Sequence, residues 1–99
     1  MFICRDLSQE FLVSAYWEDA ELVIVAKKVL DDGQLEQQCA VRYERNELPL
    51  IVNLLDSNDF CCGDICLDTH ANAGLANFIS AGRKRRRRTD LRVTPEMRN

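Results

Sequence analysis

Apolar and polar residues alternate along the first half of the chain, a pattern typical of half-buried β-strands. Within residues 11–17, one face of the predicted strand carries Phe11, Val13, Ala15 and Trp17. The next apolar stretch, residues 20–30, is rich in valine and isoleucine, whose branched side chains favour a strand over a helix. The mostly charged residues 18–21 predict a turn between the two strands.

The same alternation returns over residues 34–44 and predicts a third strand. One face of this strand is predicted to hold Leu35, Cys39, Val41 and Tyr43. The preceding residues Asp31, Asp32 and Gly33 are a turn signal, because glycine adopts the positive φ that short hairpin loops need. Together the three segments predict an antiparallel meander over about residues 10–45.

Two later segments have the spacing of amphipathic helices. The first covers about residues 47–56, with Asn46 predicted as its N-cap and an apolar stripe of Leu48, Ile51, Val52 and Leu55. The second covers about residues 70–81, with Thr69 predicted as its cap and Gly82 as the glycine that ends it. Between the helices, Gly63 is predicted to turn between two short extended pieces. The predicted fold class is α+β: a small antiparallel sheet of three to four strands packed with two helices.

Charge divides the chain more sharply than its net charge of −3 suggests. Residues 1–82 hold five basic and 14 acidic side chains, whereas residues 83–99 hold eight basic and two acidic ones. The chain is therefore predicted to have one compact acidic domain, 1–82, and a basic, flexible tail, 83–99.

Six consecutive basic residues open the predicted tail: Arg83, Lys84, Arg85, Arg86, Arg87 and Arg88. Guanidinium groups stay charged and bind phosphate in a bidentate manner, so this run is the predicted contact with nucleic acid. Alternative interpretations are a solvated tail, a contact with the chain's own acidic domain, and a nuclear localisation signal. Further on, Leu91 and Val93 have the spacing of a short strand, which would add to the sheet edge of a partner.

The cysteines and the single histidine are a second candidate site. Cys62, Cys66 and His70 follow one another at intervals of four residues, and Cys39 or Cys61 would complete a tetrahedral zinc site. The favoured interpretation is that these cysteines are reduced thiols in the core, because free cysteine behaves as a small apolar residue. A disulfide framework is not expected, since the five cysteines are an odd number and no signal peptide precedes them.

Composition also bounds the function. No apolar stretch approaches the roughly 20 residues that span a bilayer, so no membrane contact is predicted. The predicted location is cytoplasmic, or nuclear in a eukaryotic host. Phosphate-binding loops, nucleophile elbows and zinc-protease motifs do not occur in the sequence, and neither an enzyme activity nor a cofactor is predicted.

The function predicted from these features is that of a small accessory or regulatory protein of nucleic-acid metabolism. Its domain would bind a protein partner of the nuclease, helicase or polymerase type, as phage and mobile-element modulators of host enzymes do. The arginine-rich segment would contact nucleic acid or an acidic patch. Two alternatives are a stand-alone, non-specific nucleic-acid-binding protein and a small zinc-stabilised interaction module.

Overall fold

Three nine-residue strands form the predicted antiparallel meander in the computed structural model, which describes residues 10–63, 65–82 and 87–93. They are β1 (Glu10–Glu18), β2 (Glu21–Val29) and β3 (Leu35–Tyr43). The turn that joins β1 to β2 contains Asp19 at φ 59°, and the turn that joins β2 to β3 contains Gly33 at φ 87°. Both connections fall where the charged and glycine-containing segments predicted them.

A fourth strand comes from the segment that was expected to be a flexible tail. β6 (Arg88–Val93) pairs antiparallel with β1 and gives the sheet the order β3-β2-β1-β6. Every second residue of β6 lies on the core face of the sheet: Thr89, Leu91 and Val93. Val93 is only 2% exposed. The expected tail is thus part of the sheet over residues 88–93, because this alternation supplies an apolar face and β1 supplies a free edge. Residues 83–86 and 94–99 lie outside the described residues.

Two helices pack on one face of the sheet and confirm the predicted α+β architecture. They are α1 (Leu48–Asp56), entered through a 3-10 turn at Arg45–Glu47, and α2 (Thr69–Ala81). Between them, β4 (Cys61–Cys62) and β5 (Ile65–Cys66) form the short hairpin that the sequence suggested around Gly63. The fully buried core includes Val13, Ala15, Leu22, Ile24, Ala26, Leu55, Cys62, Leu67 and Leu75.

Both predicted helix caps are wrong by one or more residues. The 3-10 turn begins before Asn46, and Glu47 accepts a hydrogen bond from the Glu44 N–H at 2.7 Å. Asp68 rather than Thr69 caps α2, since its Oδ1 accepts from the Ala71 N–H at 2.8 Å. A carboxylate is the better acceptor for these unpaired N–H groups and also complements the helix dipole.

A β-bulge in β3 places one residue on the opposite face of the sheet from the one predicted. Cys39 pairs with Ala26, but Gln37 rather than Gln38 pairs with Lys27. The extra residue moves everything before it to the opposite face, because side chains in a strand alternate. Leu35 consequently lies on the outer face of the sheet, 46% exposed, instead of sharing the core face with Cys39.

Candidate functional site

The basic run joins two fixed elements of the fold. Gly82 ends α2 at φ 78°, and Arg87 immediately precedes β6. Of the six predicted phosphate-binding residues, the structure describes Arg87 and Arg88, while Arg83, Lys84, Arg85 and Arg86 lie outside the described residues. The run therefore connects a helix to a sheet strand at one end of the molecule.

Arg88 lies on the outer face of the sheet and is bound to neighbouring side chains. Its guanidinium is 3.2 Å from an Asp90 carboxylate oxygen, donates to Ser14 Oγ at 3.3 Å, and lies 5.6 Å from the centroid of the Tyr16 ring. Ser14 in turn donates to Asp90 at 2.7 Å. The Ser14 hydrogen bond and then Arg88 lower the pKa of Asp90. Arg88 is thus positioned by the sheet.

Two other arginines on the outer face are also paired with carboxylates. Arg42 forms ion pairs with Glu18 and Glu21, and their hydrogen bonds raise its pKa. Arg92 lies 4.0 Å from Glu10. The positive charge on this face is therefore largely balanced locally.

Arg87 lies on the other side of the sheet, beside a cleft. Its carbonyl oxygen accepts a hydrogen bond from the Trp17 N–H at 3.1 Å, which fixes the chain at the end of β1. The cleft has a volume of about 780 Å³ and is lined by Trp17, Ala20, Arg45, Leu48, Ile79, Ala81, Gly82 and Arg87. This volume is within the range of small-molecule and peptide sites. We call the end of the molecule that carries this cleft, with Trp17, Arg45 and Arg87 in its lining, the arginine end.

Trp17 forms one wall of the cleft and carries an unused hydrogen-bond donor. The side chain is 9% exposed and stacks on Phe78, with 6.0 Å between ring centroids. Its buried Nε1–H has no acceptor among the described residues. Leaving such a donor unpaired costs about 1–3 kcal/mol. A ligand oxygen that reached this group would recover part of that cost.

Arg45 and Arg87 differ from the arginines of the outer face. Both are exposed, and neither forms an ion pair with a described carboxylate. The basic run includes Arg87, but Arg45, Trp17 and Leu48 were not predicted to belong to the same site. No local pattern marks them, because the cleft unites residues that are distant in the sequence.

The candidate zinc ligands are arranged differently from both earlier interpretations. Cys39 is joined to Cys62, with 5.7 Å between Cα atoms, and Cys61 is joined to Cys66, with 3.9 Å between them. Neighbouring Cys61 and Cys62 point to opposite sides of β4, so each reaches a different partner. The expectation of reduced core thiols is corrected to two disulfides.

His70, the fourth candidate ligand, is exposed in the first turn of α2. Among the described residues, no group of three or more histidine, cysteine or acidic side chains is placed to hold a metal ion. Because Cys39, Cys62 and Cys66 are all bonded to sulfur, they do not supply the thiolates that zinc requires. The described geometry therefore carries no zinc site.

No family model, curated protein or solved structure matches the chain. Within the described residues, neither helix has the length and hydrophobicity needed to cross a membrane.

Proposed function

We propose that this chain is a small, non-enzymatic accessory protein of nucleic-acid metabolism that contacts phosphate through its basic run, residues 83–88. The observation that carries this proposal is the attachment of the basic run at both of its ends: α2 ends at Gly82 just before the run, and β6 begins at its last residue, Arg88. Six bases joined to a folded end concentrate charge better than a free tail does, because less conformational freedom is lost on binding.

The opposite end of the molecule supports a protein partner. Five acidic residues lie there, in the β2–β3 turn and around the ends of the helices: Asp31, Asp32, Asp56, Asp59 and Asp68. Acidic surfaces steer a protein toward basic ones, such as those lining the channels of nucleases, helicases and polymerases. We propose such a partner, with the chain acting as a regulator of the kind found in phages and mobile elements.

The test is affinity purification from native cells, with and without nuclease treatment, using the full chain and a variant in which residues 83–86 are glutamine. The proposal expects a protein complex that survives nuclease and persists in the variant with weaker nucleic-acid binding. A matched control replaces Lys27 and Lys28, which lie at the far end of β2, with glutamine. Failure to recover any protein would contradict the proposed partner.

The alternative of a stand-alone nucleic-acid-binding protein makes a different prediction. Full engagement of the six bases on duplex DNA would give a slope of about −5 for log K against log salt. The paired state of Arg88 favours fewer contacts and a shallower slope. A slope of about −5, with recovery in cells only through nucleic acid, would favour the alternative.

The cytoplasmic location, or a nuclear one in a eukaryotic host, is also a proposal, and the cysteines bear on it. Reduced thiols were predicted for such a location, whereas the structure pairs four of the five cysteines in disulfides. Disulfides are rare in reducing compartments. Alkylation of free thiols in intact cells tests the location: four protected cysteines would contradict a reducing cytoplasm.

A further inference from the structure

The cleft at the arginine end is lined by side chains of only two kinds, hydrogen-bond donors and apolar groups. Its polar side chains are Trp17, Arg45 and Arg87, all of which donate hydrogen bonds and none of which accepts them. The rest of its lining is apolar or glycine: Ala20, Leu48, Ile79, Ala81 and Gly82. A matching ligand must therefore present oxygen acceptors with negative charge next to an apolar group.

We propose that the cleft binds an acidic peptide segment of a partner protein that carries a bulky apolar side chain beside its carboxylates. The apolar side chain packs between Leu48 and Ile79, and the carboxylates face Arg45 and Arg87. A peptide carbonyl accepts from the buried Trp17 Nε1–H, which has no acceptor among the described residues. This proposal deepens the proposed function, since it names the chemistry of one protein partner.

Packing favours a peptide over an unpaired nucleotide. Proteins bind unpaired bases by stacking them on aromatic side chains, but Trp17, the one aromatic residue in the described lining, is 9% exposed and already stacks on Phe78. The aliphatic side chains of Leu48 and Ile79 suit an apolar peptide side chain instead, and carboxylates suit the two arginines. The two arginines are also available, because neither is paired with a described carboxylate, in contrast to Arg42 and Arg88.

Binding can be measured through the cleft itself, because Trp17 is the only tryptophan in the chain. The probe is a synthetic pentapeptide of three aspartates followed by leucine and phenylalanine. One matched peptide has asparagine in place of the aspartates, and another has serine in place of the two apolar residues. Trp17 fluorescence and calorimetry are expected to show binding of the first peptide and at least about tenfold weaker binding of each control, as expected for losing charge-assisted contacts or apolar burial.

Single substitutions test whether the peptide binds in the cleft. Arg45→Gln and Arg87→Gln are each expected to weaken peptide binding about tenfold, the effect of one charge-assisted hydrogen bond. Lys27→Gln removes the same charge outside the cleft and is expected to leave affinity unchanged. Near-ultraviolet circular dichroism verifies that each variant is folded.

Two results would overturn the proposal. The first is equal binding of the aspartate and asparagine peptides, or no binding of either. The second is a stronger response of Trp17 to a thymidine oligonucleotide, which would assign the cleft to nucleic acid. Oligonucleotide binding by residues 83–88 and the purified complex are measured separately, so a cleft that fails to bind peptide leaves those tests of the proposed function standing.

Discussion

The two ends of this molecule differ in how their side chains are bonded. At the arginine end, Trp17, Arg45 and Arg87 surround an open cleft and leave hydrogen-bonding groups and charges unused by the described residues. At the other, which we call the disulfide end, the β4–β5 hairpin is bonded to β3 through Cys39–Cys62 and across itself through Cys61–Cys66. The difference is that one end presents donors and charges to a ligand, whereas the other is covalently cross-linked.

The two ends of α2 also differ. At the disulfide end, Asp68 caps the helix, and the fully buried Asn72 donates to the carbonyls of Leu67 and Asp68, each at 2.9 Å, while its Oδ1 has no hydrogen-bond partner among the described residues. At the arginine end, α2 stops at Gly82 beside the cleft. We infer that stability is concentrated at the disulfide end and that the arginine end remains free to bind.

The largest expected effect is the loss of the Cys39–Cys62 disulfide. Cys39→Ala with Cys62→Ala opens a loop with a sequence separation of 23 and is expected to lower the free energy of unfolding by about 3 kcal/mol. Denaturant unfolding measures this change. Peptide affinity at the cleft should stay the same if the two ends are independent.

The matched control is Cys61→Ala with Cys66→Ala, whose loop has a sequence separation of only five. Its expected cost is smaller, about 2 kcal/mol, because a shorter loop restricts the unfolded chain less. A larger loss of stability for this pair would contradict the dependence on loop length, and a parallel loss of peptide binding in either pair would break the distinction between the two ends.

A smaller effect is expected at the helix cap of the disulfide end. Asp68→Ala removes the acceptor of the Ala71 N–H and should lower the free energy of unfolding by about 1 kcal/mol. Thr69→Ala is the control, since the exposed Thr69 follows the cap. A larger loss for Thr69→Ala than for Asp68→Ala in chemical denaturation would show that the cap lies one residue later, as the sequence suggested.

Much of the sheet could be predicted from the sequence, because alternation encodes which face of a strand is buried. Val13, Ala15 and Trp17 are buried as expected. Leu35 was misplaced, since the bulge that moves it to the outer face leaves no mark in a hydrophobic pattern. The sequence likewise predicted both helices correctly, but it did not predict the residues that cap them.

The fourth strand shows how a strong charge signal hides a weaker structural one. Thr89, Leu91 and Val93 alternate with Arg88, Asp90 and Arg92, which is a strand pattern, yet the preceding bases suggested a tail. Charged residues suit an edge strand, where they discourage pairing with other chains. The partner edge that the sequence suggested for Leu91 and Val93 is this chain's own β1.

The candidate site was less predictable than the fold. The basic run identified Arg87 but did not separate it from Arg88, which the alternation of side chains places on the opposite side of the sheet. Arg45 and Trp17 join the site only through tertiary packing. The cysteine pairs could not be assigned, because sequence alone does not define disulfide connectivity.

The smallest expected effect concerns Asp90, the carboxylate that is paired with Arg88 on the outer face of the sheet. The hydrogen bond from Ser14 and then Arg88 lower the pKa of Asp90 below its usual value of about 3.9. A lowered pKa in the folded state stabilises the fold above the unfolded value and loses that contribution as pH falls through the folded value. Since the Asp90 side chain is 47% exposed, solvent screening limits the contribution to less than about 1 kcal/mol.

Asp90→Asn therefore should reduce the free energy of unfolding above about pH 5, and the gap from the unaltered protein should narrow below about pH 4. Urea unfolding across this range measures the gap. Arg88→Gln is the control, since it keeps the Ser14 hydrogen bond and should produce a weaker pH dependence. A gap that stays constant with pH would exclude the charge of Asp90 as its cause. If Asp90→Asn also strengthened peptide binding at the cleft, Arg88 would belong to the arginine end rather than to the outer face, because its release alone would have added a cation to the site.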